Sequence, residues 1–349
     1  MRGKSKVIAL ALLAASLAVL GTGFAADAGE GEYVMLGGQP VGIALRAEGL
    51  IVTAVGGVAT EEGEVFPLEG SGIEAGDIVV SVGGEAADNL YAFGESVAGA
   101  GGEIELGVLS DGERRTVKVA PAREAASGKK RLGLVLKEDV GGIGTLTFVT
   151  ERGAYAALGH TVADGETGLS SELSRGAVYP TTVEGVIKSE SGKAGGLSAA
   201  VNRLRPPLGR NFLNTPIGIY GAAEVGAGRR IRVAERGEAH PGRAQVITTL
   251  SGSVPEAYDV DIVKSVTQHE KAEKGLVIKV RDRELLQKAG GIVQGMSGSP
   301  IVQDGLLVGA VTHVFVSDPT RGYGVHARFM LEEAENAADM FAAGGREAA

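Results

Sequence analysis

From Leu132 to about Met330 the chain is written almost entirely in short apolar runs, each closed by a glycine turn. Leu132 to Leu136, Ile143 to Val149, Val183 to Ser189, Ala244 to Thr249, Val260 to Val266, Gly275 to Val280 and Leu306 to Val314 all read as strands. Runs of this length between turns predict an all-β barrel or sandwich. The 56 glycines and the 4% aromatic content fit many turns and short strands better than long helices. Only the end departs from this pattern: Phe329 to Ala343, rich in Ala and Glu, predicts a C-terminal helix. Nothing repeats at a fixed period, so a solenoid is not expected.

A chain of 349 residues has room for two domains. Upstream of the β-rich region, Tyr33 to about Pro121 reads as a mixed unit, with strands at Val41 to Leu45 and Leu50 to Val55. Asn89 to Ala98 predicts a short helix with Leu90, Phe93 and Val97 on one face. Ile104 to Leu109 and Arg114 to Val119 bracket Ser110-Asp111-Gly112-Glu113 as a hairpin. The string G-I-x-x-G-D-I-V-x-x-V-G-G, from Gly72 to Gly84, makes residues 33–121 resemble a PDZ domain. That resemblance implies capture of an extended peptide at a sheet edge. It also implies a carboxylate-binding loop near Gly38 to Ile43, with the Gly42 and Ile43 amides as donors. Residues 122–131, polar and charged, read as a linker to a second domain over 132–343.

The N-terminus reads as a targeting segment. Arg2, Lys4 and Lys6 precede the apolar run Val7 to Leu20, and Gly21 to Ala26 is small and weakly polar. This is the layout of a secretory signal, with cleavage after Ala25 or Ala26, or of an anchor retained in the membrane over residues 1–26. Either way the remainder is expected on the far side of the membrane, because the positive flank stays in the cytoplasm. The net charge of −9 gives no basic face for nucleic acid. The absence of cysteine excludes disulfides, thiolate catalysis and cysteine-ligated zinc, and no cofactor or metal is expected.

One short segment points to chemistry. Gly295-Met296-Ser297-Gly298-Ser299-Pro300 places a serine between glycines on a tight turn after an apolar run. A serine so displayed can be a nucleophile, and the Gly295 and Ser297 amides can face one oxyanion. Serine needs a base, most often histidine. Of the five histidines, His160 stands where the apolar strand ending at Gly159 meets a polar turn, a position suited to face a cleft. His313 and His326 lie inside strands and read as packed, with His313 the second candidate for the base, while His240 and His269 read as surface residues. For the carboxylate that would orient the base, Asp164, Asp259, Asp261 and Asp282 all stand open.

The stretch Gly290 to Gln303, followed by Val308 to Phe315, closely resembles the stage IV sporulation protein B peptidases, as do Ala157-Leu158-Gly159-His160 and Gly141 to Thr147. The order of membrane-crossing segment, PDZ domain and peptidase domain is similar too. The resemblance implies a serine endopeptidase with a chymotrypsin-like double β-barrel. It places the nucleophile on Ser297, the base on His160 and the acid on Asp282. It further implies export into the space around the forespore, cleavage of a membrane-bound regulator that triggers sigma-factor processing, self-cleavage near the N-terminus, and control by a peptide or self segment in the PDZ groove. An HtrA-like quality-control protease would carry its PDZ domain after the protease, opposite to the order here. A non-catalytic secreted adaptor would leave the serine turn merely structural.

Overall fold

The strand pairings close two six-membered rings. The computed structural model describes residues 31–347 apart from 171 and 224–227, so the expected signal or anchor over 1–26 lies outside the described residues. Among the described residues no helix is long and apolar enough to cross a membrane. The fold is mainly β with a C-terminal helix.

The first ring, called the N-barrel, joins Pro40–Arg46, Val140–Thr150, Ala154–Ala157, Gly218–Ala223, Gly209–Thr215 and Arg175–Ile187, which returns to Pro40–Arg46. The second, the C-barrel, joins Leu306–Val314, Pro300–Gln303, Gly242–Thr248, Glu256–Ser265, Leu276–Val280 and Arg321–His326, which pairs back to Leu306–Val314. Tyr33–Leu36 and Arg230–Val233 bridge the two rings. Closing a sheet on itself removes its edges, and the glycines between the runs supply the sharp turns that closure requires.

Each ring has its own apolar filling. Val41, Leu45, Tyr155, Leu173 and Ile219 fill the N-barrel side. Val246, Val260, Ile278, Leu285 and Val311 fill the C-barrel. Helix α3 (Ala327–Glu347) buries Phe329, Met330, Ala334 and Ala337 in a third cluster with Phe148, Ala156, Tyr220 and Leu307, sealing the seam between the rings.

The boundary expected between two consecutive domains is not the one observed. Pro40–Arg46 is a barrel strand, and the chain leaves the N-barrel after it and re-enters at Val140. A small unit is therefore inserted into a barrel hairpin. Its sheet runs Leu134–Lys137, Leu50–Val55, Ile78–Val82, Ile104–Ser110, Glu113–Val119. It packs helix α1 (Leu90–Gly99) through Phe93 and Val97 onto a core with Leu50, Val79 and Leu106. Asn89 caps α1 by accepting from the Ala92 amide.

Two expectations are corrected here. Gly42 and Ile43 cannot form a carboxylate-binding loop, because both sit mid-strand with Val140–Thr150 on one side and Arg175–Ile187 on the other. Residues 122–131 are not a loose linker: Ala122–Arg123 and Lys130–Arg131 pair with each other, and the Ala125 amide donates to the Ala59 carbonyl. The small sheet ends instead at Leu134–Lys137 on one side and Glu113–Val119 on the other. The first of these edges borders a cavity of ≈ 700 Å³ lined by Leu90, Phe93, Val97, Leu132, Leu134 and Leu136.

Candidate active site

Ser297 is held where the two barrels meet. Ahead of it, α2 (Arg283–Ala289) ends at Gly290, and the chain turns through Ile292 and Val293, both buried in the C-barrel core. The N-barrel grips the turn that follows. The Thr145 amide donates to the Ser297 carbonyl at 2.8 Å, Thr145 Oγ1 to the Gly295 carbonyl at 2.9 Å, and Thr147 Oγ1 to the Gly298 carbonyl at 2.8 Å. From the C-barrel, the Val311 carbonyl accepts from the Gly298 amide at 2.7 Å. Ser299 is fully buried and donates to Thr248 Oγ1 at 2.9 Å, so the second serine of the motif is structural.

Glycine is required at two of these positions. Gly298 has φ 93°, and a Cβ there would lie 2.1 Å from the Thr145 carbonyl oxygen and 2.4 Å from the Leu158 nitrogen. Its bareness lets the nucleophile turn touch the backbone that leads to His160. Gly295 has φ 96°, and a Cβ there would press against Leu197 at 3.0 Å. Among the described residues the Met296 amide donates to the Val293 carbonyl, while the Gly295 and Ser297 amides have no acceptor. Both of those residues line the cavity.

His160 approaches from the N-barrel. The strand Ala154–Ala157 ends in a tight turn where Leu158 takes φ 70° and the Gly159 amide returns to the Ala157 carbonyl. A positive φ at leucine is a strained conformation, tolerated here because the packed turn over-determines it. His160 Nδ1 lies 2.7 Å from the Thr161 carbonyl. Only a protonated Nδ1 can bond a carbonyl, which leaves Nε2 with its lone pair.

Ser297 and His160 line one cavity of ≈ 670 Å³. Leu158, Leu197, Val293 and Val314 form much of its wall, and among the described residues no carboxylate or cationic Lys or Arg side chain lines it. The Ser297 hydroxyl donates to the Thr312 carbonyl at 2.8 Å. In serine hydrolases the serine–histidine hydrogen bond often tightens only in the complex with substrate.

Asp282 is not brought to this cavity. It is the N-cap of α2, and its carboxylate accepts from the Glu284 amide at 2.8 Å, the Leu285 amide at 3.0 Å and the Asp259 amide at 3.4 Å. The other aspartates are engaged elsewhere. Asp259 accepts from Gln245, and Asp261 pairs with Arg281. Asp164 is buried and takes bonds from Lys137, Thr167 and the Glu166 amide. His313, the second candidate for the base, lies in the strand Leu306–Val314 as expected. It is half-buried in the cavity wall, with its ring 4.8 Å from that of His160. Its neighbour Thr312 was the available signal, since alternation along the strand that pairs with the nucleophile turn puts one of the two beside Ser297.

A serine on a barrel-to-barrel turn and a histidine lining the same cavity are the elements a serine peptidase site requires. The family model described as SpoIVB peptidase S55 matches residues 128–331, more than half of the chain, and the chain belongs to that family of sporulation serine peptidases. No curated protein sequence matches the chain.

Proposed function

We propose that Ser297 is the nucleophile, His160 the base, and the Gly295 and Ser297 amides the oxyanion hole of a sporulation endopeptidase. The observation that carries this reading is the shared cavity, into which the two side chains open beside two amides that have no acceptor. His160 Nε2 takes the proton from Ser297 Oγ as the oxygen attacks the scissile carbonyl. The carbonyl oxygen, now negative, is met by the two amides, neither of which is taken by an acceptor among the described residues. His160 returns the proton to the leaving amine, and water hydrolyses the acyl-enzyme by the same route. The apolar cavity wall favours substrates with uncharged, apolar side chains next to the scissile bond.

The physiological reading follows the family: a membrane-bound regulator as substrate, self-cleavage near the N-terminus, and action outside the membrane that the N-terminal segment enters. The paired rings support a chymotrypsin-like arrangement. The inserted unit is read as PDZ-like, with its peptide groove between α1 and the edge strand Leu134–Lys137, where an incoming chain can add as a strand. Lys137, at the end of that strand, ion-pairs with Asp164 at 2.8 Å, four positions beyond the base. This connection supports gating of the catalytic loop by an occupied groove. The experiment that tests the proposal is cleavage of a recombinant substrate by wild type and by Ser297→Ala, with the mature N-terminus of each mapped by mass spectrometry. Cleavage and N-terminal trimming by the wild type alone support it. Equal cleavage by both forms would remove Ser297 from the mechanism.

A further inference from the structure

Among the described residues no carboxylate touches His160, yet one stands a single ring away. The His160 and His313 ring centroids are 4.8 Å apart, with the planes tilted by 38°. His313 Nδ1 is buried without a hydrogen-bond partner, and Glu273 Oε2 lies 3.9 Å from it. The Glu273 backbone is tied to the same strand, since Thr312 Oγ1 donates to the Glu273 main-chain carbonyl at 3.1 Å. Thr312 is also the residue whose carbonyl accepts the Ser297 hydroxyl. Nucleophile, base, second histidine and carboxylate are thereby linked through two adjacent residues of one strand.

We propose that Glu273 and His313 act as a positioning pair for His160, supplying the orientation and negative charge that an aspartate in contact with the base would otherwise supply. The inference rests on the reading of His160 as base. When His160 takes the serine proton, positive charge appears on its ring. A neutral His313 ring packed against it fixes its plane without repelling that charge. Glu273, beyond His313, attracts it across a partly dry path where electrostatic effects exceed those in water. Burial and the nearby His160 both hold His313 below the usual histidine range, which keeps it neutral when His160 is charged. The charged and titratable groups facing His313 are His160, Glu273 and Lys274. Lys274 opposes Glu273 and is itself paired to Glu273 Oε1 at 3.1 Å.

The test is the pH dependence of kcat and kcat/KM in the full chain, using a peptide substrate, for wild type, Glu273→Gln, His313→Asn and Asp282→Asn. Removing the Glu273 charge makes the protonated His160 less favourable, so the acid limb of kcat/KM for Glu273→Gln moves to lower pH. Its plateau kcat falls about tenfold, with KM within about twofold, because the lost interaction is made only as charge develops. Glu273→Asp recovers part of kcat, and His313→Asn lowers kcat with the same small change in KM. A purely structural role would lower the melting temperature without moving the acid limb. An unmoved limb with kcat within about twofold of wild type in both Glu273→Gln and His313→Asn overturns the proposal, as does a limb that moves in Asp282→Asn instead. Should Glu273→Gln fail to fold, His313→Asn carries the same decision. Labelling of Ser297 by a covalent serine probe separates the two levels. Labelled enzyme with an unmoved limb sinks only the pair, whereas unlabelled wild type sinks the peptidase site itself.

Discussion

Lys137 Nζ lies 2.8 Å from Asp164 Oδ2, joining the edge strand of the inserted unit to the loop that carries His160. Glu166 shares the lysine at 3.0 Å. The Asp164 side chain is only 3% exposed. Burial alone would raise its carboxyl, but Lys137, the Thr167 amide and hydroxyl and the Glu166 amide more than offset this and hold it down at about 2. A carboxyl whose folded value lies below its unfolded value of 3.8 stabilises the fold above that value. The contribution is then lost as pH falls towards 2. Lys137→Met is expected to destabilise the protein by about 1 to 2 kcal/mol at neutral pH, and by less near pH 3, where the buried carboxyl freed of Lys137 protonates in the variant and no longer stands as an unpaired charge. Chemical denaturation at the two pH values checks this, and an equal effect at both would remove the ion pair as the cause.

The same contact makes a functional prediction. If the groove beside Leu134–Lys137 gates catalysis, a peptide bound there changes turnover in wild type but not in Lys137→Met, whose groove is intact. Titration of both forms with one groove peptide, followed by kcat, decides this. An identical response would mean that any gating runs through another contact, such as the bond from the Leu90 amide to Glu138.

Gly298 makes a steric prediction. Alanine there must both hold φ 93° and clear the Thr145 oxygen at 2.1 Å. Gly298→Ala is expected to lose about 3 kcal/mol or more and nearly all activity, since the turn and the backbone leading to His160 separate together. A melting temperature close to wild type would show that the turn can relax.

Asp282 makes a prediction opposite to the one its sequence position invites. Asparagine caps a helix nearly as well as aspartate does. Asp282→Asn is therefore expected to keep stability within about 0.5 kcal/mol and to retain most turnover, while Asp282→Ala loses about 1 kcal/mol through the missing cap. A hundredfold loss of kcat in a stable Asp282→Asn protein would restore the carboxylate charge to the mechanism.

Ser297 and His160, which the structure brings to one cavity, each carry a local mark in the sequence. One lies in a glycine-bracketed turn that only a tight approach requires, and the other at the abrupt end of an apolar strand. The C-barrel strands were legible because their apolar runs alternate with turns. The insertion was not legible. The hairpin partners Pro40–Arg46 and Val140–Thr150 are brought together across the whole inserted unit, and nothing local records that pairing. One signal was available: Pro40 to Leu45 is nearly all apolar and is buried at every position. A strand buried on both faces already has its amides paired, so it cannot serve as an open peptide-binding loop. Asp282 was misread for a related reason. Its position before Ser297 is equally that of an N-cap, and only the Glu284 and Leu285 amides distinguish the two roles.

The most direct measurement is labelling of the intact protein by a covalent serine-directed probe, with the modified residue located by mass spectrometry, in wild type and in His160→Ala. The account predicts a single adduct on Ser297 in wild type and almost none in His160→Ala, because the serine is a weak nucleophile without its base. Labelling of Ser297 at the same rate without His160, or no labelling of Ser297 in wild type, would contradict it.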